Sequence, residues 1–126
     1  MRYLVLVLAI IFTSCQLGHK EVKLAEMAAP PRLIIQGNQI LVKTQTSKEN
    51  PSFTLYEILP TIDEGERSIL LKGHEGMYRD PMSEFIVKVT RIKPDSLALY
   101  KIFWVDPDNT KTQLKFEVDT TYRSAQ

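Results

Sequence analysis

From Arg32 onward the chain is built of short runs rich in β-branched and aromatic residues, each cut by a turn signal. "RLIIQ" and "QILVKTQT" flank Gly37-Asn38, a glycine-first pair of the kind that closes a tight hairpin. "SKENPS" has loop composition. "FTLYEIL" follows and is expected to end at Pro60, "TIDEGE" is a turn, and "RSILLKG" is a further run. Three longer runs, 84–93, 97–105 and 112–119, are separated by Pro94-Asp95-Ser96 and Asp106-Pro107-Asp108-Asn109. None of these segments carries a helical apolar stripe. The pattern predicts an all-β fold: a small antiparallel β-sandwich or barrel of about seven strands.

With 126 residues the chain has room for one domain and can bury a core without disulfide staples. Its one cysteine, Cys15, excludes an internal disulfide and any zinc site that needs several thiolates. Its two histidines, His19 and His74, exclude a histidine-rich metal cluster. No cofactor and no metal is therefore expected.

The N-terminal stretch "MRYLVLVLAIIFTSC" opens with one basic residue, Arg2, followed by the uncharged run Tyr3 to Phe12. As a helix that run would reach roughly 15 Å, against a hydrocarbon core of about 30 Å. It is too short to span and has the proportions of a signal-peptide apolar region. Phe12-Thr13-Ser14-Cys15 resembles the lipobox of bacterial lipoproteins, with Phe12 in place of the usual Leu, Val or Ile. The resemblance covers residues 1–15 alone. It implies a diacylglyceryl group on the Cys15 thiol, cleavage just before Cys15, and attachment of the mature chain to a membrane. Gln16, where some lipoproteins have Asp, implies by the same resemblance an outer-membrane address in the cell envelope.

The resulting division is a lipoprotein signal peptide over 1–14, a lipidated tether over 15–31 and a single β domain over 32–126. The tether, "QLGHKEVKLAEMAAPP" after Cys15, shows no clear apolar stripe and ends in Pro30-Pro31. Removing residues 1–14 removes Arg2, which takes Lys+Arg from 16 to 15, level with the 15 Asp+Glu. A neutral chain without a basic run lacks the surface that neutralises phosphates, so nucleic acid is excluded as a main ligand.

If the last two turns set Trp104 opposite both Ile86 and Thr112, one sheet face gathers Ile86, Ile92, Ala98, Tyr100, Ile102, Trp104, Leu114, Phe116 and Val118 as core. The reverse face then gathers Phe85, Val87, Val89, Phe103 and Val105. These five form the candidate patch for a partner or ligand, unless strands 32–72 fold over it.

"GHEGMYRDP" puts His74, Glu75, Tyr78, Arg79 and Asp80 in what reads as one irregular loop, 73–81. No nucleophile is tied to His74 by a motif, so no catalytic residue is assigned. "DPDNT" at 106–110 alternates oxygen ligands but lacks the central glycine and distal acid of a calcium loop, and reads as a turn. The expected function is a lipid-anchored envelope protein acting as a binding or accessory module, with an envelope protein as partner, and not an enzyme. The alternatives are a small barrel holding an apolar small molecule or lipid and, more remotely, a hydrolase centred on His74.

Overall fold

The computed structural model describes residues 19–45, 53–77 and 82–122. The signal-peptide reading, Cys15 and Tyr78-Arg79-Asp80 lie outside the described residues. Among those residues the fold is all-β and sandwich-like, with nine strands in two sheets rather than about seven. The strands are β1 (His19–Glu21), β2 (Arg32–Gln36), β3 (Gln39–Lys43), β4 (Phe53–Asp63), β5 (Ser68–Met77), β6 (Glu84–Lys88), β7 (Lys101–Val105), β8 (Lys111–Leu114) and β9 (Phe116–Val118).

The first sheet is organised around β5. Strand β4 runs antiparallel along one side of it. The other side is shared end to end: β7 lies parallel to Ser68–Leu71, and β1 lies antiparallel to the stretch His74 to Gly76. Strand β8 completes the sheet beyond β7. The second sheet has the order β6-β3-β2-β9 and is antiparallel except for the β2–β9 pair. Each sheet therefore carries one parallel ladder within a largely antiparallel arrangement.

The β2–β3 hairpin forms where Gly37-Asn38 predicts it: Gln36 pairs with Gln39, and Gly37 takes φ +62°. Other boundaries differ from the sequence reading. Strand β4 does not stop at Pro60 but continues to Asp63. Among the described residues it pairs only with β5, so it is an edge, where a residue without an N–H is tolerated. Strand β5 runs through Gly73 to Met77, so His74 and Glu75 sit on a strand rather than in a loop. Leu97–Leu99 forms a 3-10 turn, and the last long strand begins at Lys101.

The stretch read as one strand, 112–119, serves both sheets. Leu114 pairs with Ile102 in the first, and Phe116 pairs with Leu33 in the second, with the crossing at Lys115. Trp104 does stand opposite Thr112, but Ile86 pairs with Leu41 in the other sheet. The predicted three-strand meander of 84–119 is thus split between the two layers.

The core lies between the layers. Leu33, Ile35, Ile40, Val42, Phe85 and Val87 point inward from the second sheet, and Ile69, Leu71, Ile102, Trp104 and Leu114 from the first. Each such side chain contributes about 1.5–3 kcal/mol by leaving water.

The tether reading of 15–31 is corrected for its described part. Val22 and Met27 are buried in the core cluster. Val22 N–H donates to the Gly73 carbonyl at 2.9 Å, and Leu24 N–H donates to Asp106 Oδ1 at 2.9 Å. A 3-10 turn, Leu24–Glu26, connects them. The folded unit begins no later than His19. Val22, Leu24 and Met27 follow neither a strand nor a helix period, so no repeating pattern announces this segment.

Candidate functional site

The predicted patch is not an open surface. Phe85, Val87 and Val89 are 6%, 2% and 1% exposed and belong to the core. Val105 is buried, and Phe103 is half-buried on the first sheet, away from the other three. The parity assigned to residues 84–89 is inverted, because β6 pairs with β3 and presents its odd-numbered residues inward.

The opposite parity produces a surface the patch reading missed. Ile34, Leu41 and Ile86 stand side by side on neighbouring strands of the second sheet, Ile34 opposite Leu41 and Leu41 opposite Ile86. All three face outward. Ile86 is 60% exposed, and Ile34 and Leu41 are half-buried. On one side of this apolar row run Arg32, Lys43 and Glu84, also in register. On the other run Gln36, Gln39 and Lys88. The face is an apolar stripe framed by polar rows, the composition of a surface able to bind a protein.

The frame is pinned by charge. Arg32 reaches Glu117 with both Nε (3.3 Å) and an Nη (3.0 Å), a forked contact that holds the Glu117 carboxyl below its usual range. Lys43 Nζ lies 3.8 Å from Glu84 Oε1 across the β3–β6 ladder. The sequence did contain a signal for this face. In "EFIVK" the two charges flank Ile86 on one parity, while Phe85, Val87 and Val89 carry none.

A second polar group surrounds β5. Glu21 and Glu57 stand opposite His74 on the two neighbouring strands, and His74 Nδ1 lies 3.2 Å from Glu57 Oε1. Glu75 shares the inward parity of Ile69 and Leu71 and is 3% exposed. Burial pushes its carboxyl above the usual range; Lys20, with Nζ at 4.0 Å, acts against that, and Glu26 acts with it. Lys20 also pairs with Glu26 at 2.6 Å. Among the described residues no group of His, Cys, Asp and Glu has the geometry to hold a metal ion.

Asp106 to Thr110 is a turn. Asn109 takes φ +69°, its N–H donates to the Asp106 carbonyl at 2.8 Å, and Asp108 Oδ1 accepts from Thr110 N–H at 3.0 Å. Those bonds to Thr110 hold the Asp108 carboxyl below its usual range. Asp106 Oδ1 in turn accepts from Leu24 N–H, so the carboxylates of this turn are tied into the fold.

The chain shows no significant match to any protein-family model, curated protein or solved structure.

Proposed function

We propose that this chain is a lipid-anchored protein of the cell envelope that acts by binding another protein chain rather than by catalysis. The observation that carries the binding half is the outward row Ile34–Leu41–Ile86 on a hydrogen-bonded sheet. The anchoring half rests on the lipobox-like Phe12-Thr13-Ser14-Cys15 at the end of a short apolar run. Acyl chains on Cys15 would supply about 0.8 kcal/mol per buried methylene, and two or more chains give a stable anchor.

The early start of the fold changes what such an anchor does. Only Gln16, Leu17 and Gly18 separate Cys15 from β1. Fully extended, they reach roughly 10 Å. The domain would rest against the bilayer rather than stand off from it, so partners would be recruited at the membrane surface.

Two measurements on the full chain test this reading. Mass spectrometry of the mature N-terminal peptide is expected to find a lipidated Cys15; a free thiol there, or a different start site, overturns the anchoring half. A photo-cross-linking residue in place of Leu41 is expected to yield a discrete protein adduct in cells, while the same residue in place of Lys72, on the outer face of the other sheet, does not. Absence of an adduct at position 41 overturns the binding half.

A further inference from the structure

The free edge of β6 borders the apolar row, and its chemistry specifies a partner. Ser83 carbonyl accepts from Thr44 N–H at 2.8 Å, and Val89 N–H donates to the Asn38 carbonyl at 3.0 Å. These bonds fix the ladder phase: the odd-numbered residues of β6 direct their backbone groups to β3. The N–H and C=O groups of Glu84, Ile86 and Lys88 therefore point away from β3. Among the described residues no strand pairs with that side.

The other sheet treats its adjacent edge differently. Pro60 sits within β4, close to the end of β6, where Pro60, Thr61 and Ile62 line a shallow groove with Lys88 and Val89. A proline removes a donor from an edge and discourages strand addition. Strand β6 has no such residue; it carries one charge of each sign, placed symmetrically about Ile86.

From this arrangement we infer that β6 pairs with β6 of a second copy of this chain, antiparallel and centred on Ile86. In that register Glu84 faces Lys88 of the partner copy, Ile86 faces its own counterpart, and Lys88 faces Glu84. Every outward backbone group of the three residues finds a partner, because all of them lie on the hydrogen-bonding phase of the new ladder. Like charges would meet if the strands were parallel, so charge selects the two-fold arrangement. The inner parity agrees: Phe85 falls beside Val87 of the other copy and extends the core across the junction. The Ile34–Leu41–Ile86 row then continues into the same row of the second copy, giving one stripe through a continuous sheet. Lys43, already 3.8 Å from Glu84, extends the charge ladder behind it.

This inference rests on the reading of the second sheet as the binding side of the molecule and places a second copy at the edge that borders its outer face. Cysteine cross-linking of the full chain tests it, with the wild-type chain as the background for Cys15. Ile86→Cys puts two thiols in directly opposed positions, within the Cα separation a disulfide accepts. Glu84→Cys puts them four residues out of register. A reducible dimer from Ile86→Cys and none from Glu84→Cys is the expected result. In the Ile86→Cys background, Glu84→Lys is expected to reduce the dimer at least several-fold, and adding Lys88→Glu is expected to restore it. A monomeric Ile86→Cys chain, equal cross-linking by Glu84→Cys, or failure of the charge reversal to rescue overturns the pairing. If the position-41 probe still yields an adduct while Ile86→Cys stays monomeric, the self-pairing falls and the binding face stands.

Discussion

Trp104 lies so close over Gly73 that a Cβ on that glycine would fall 2.6 Å from Cη2 and 2.8 Å from Cζ2 of the indole. Gly73 is needed for space, since no left-handed backbone is involved there. Gly73→Ala must displace the largest fully buried side chain of the described core. Overpacking of this kind costs about 1–3 kcal/mol. Urea denaturation is expected to show that loss, with a fall of several degrees in Tm. Gly65→Ala is the control: its nearest neighbour is 3.5 Å away in an exposed turn, and its stability is expected to stay close to wild type.

The same indole holds the N-terminal segment. Trp104 Nε1 donates to the Val22 carbonyl at 3.0 Å, and Asp106 Oδ1 accepts from Leu24 N–H two residues further on. Trp104→Phe leaves a buried carbonyl without its donor, a penalty of about 1–3 kcal/mol. Asp106→Ala removes the acceptor at the start of the Leu24–Glu26 turn, at about 1 kcal/mol by analogy with helix caps. Hydrogen exchange distinguishes these local effects from global loosening. The Val22 amide is expected to exchange faster in Trp104→Phe, and the Leu24 amide in Asp106→Ala, while amides of β2 and β3 keep their protection relative to global stability. Unchanged exchange at 22 and 24 would show that this segment is held by other contacts.

These contacts explain what could be read from the sequence and what could not. Gly37-Asn38 marks its hairpin because positive φ is a local demand that glycine meets at little cost. The turn at Asp106 to Thr110 is legible for the same reason. The place of Val22 is not, because its partners Gly73 and Trp104 lie far along the chain and only the fold brings them together. Pro60 misleads in the other direction: it ends a central strand but not an edge, and edge status is a property of the sheet. The face of β6 was open to a correct reading, because Glu84 and Lys88 mark the wet side. The neighbour of β6 is β3 rather than the strand that carries Trp104, and that pairing is a property of the sheet.

Glu75 makes stability depend on pH. Its carboxyl is raised by burial, so the folded state holds its proton to higher pH than the unfolded chain does. The unfolded chain releases that proton first, and stability falls as pH climbs from the ordinary carboxylate range to the raised folded value. Below that window the contribution is fully present; above it the loss is constant. Glu75→Gln mimics the protonated group at every pH. It is expected to be more stable than wild type at neutral pH, with the difference shrinking to nothing in acid. Urea midpoints measured across that range check the sign; a variant less stable than wild type at neutral pH would mean that the ionised carboxylate and Lys20 support the fold.

Adjacent residues on β6 provide the sharpest test of the sandwich register. Val87 is 2% exposed opposite Ile40, and Ile86 is 60% exposed opposite Leu41. Val87→Glu places a charge between the sheets with no counter-ion built to receive it, so the side chain must ionise at high cost or take up a proton. The expected loss is about 3–5 kcal/mol, large against the marginal stability of a small domain. Ile86→Glu adds a charge to an exposed parity already bearing Glu84 and Lys88, and is expected within about 0.5 kcal/mol of wild type at low protein concentration. Urea denaturation of the two variants side by side measures the contrast. Equal destabilisation would mean that neither parity is free to solvent, and a larger loss for Ile86→Glu would mean that β6 pairs one residue out of the register with β3.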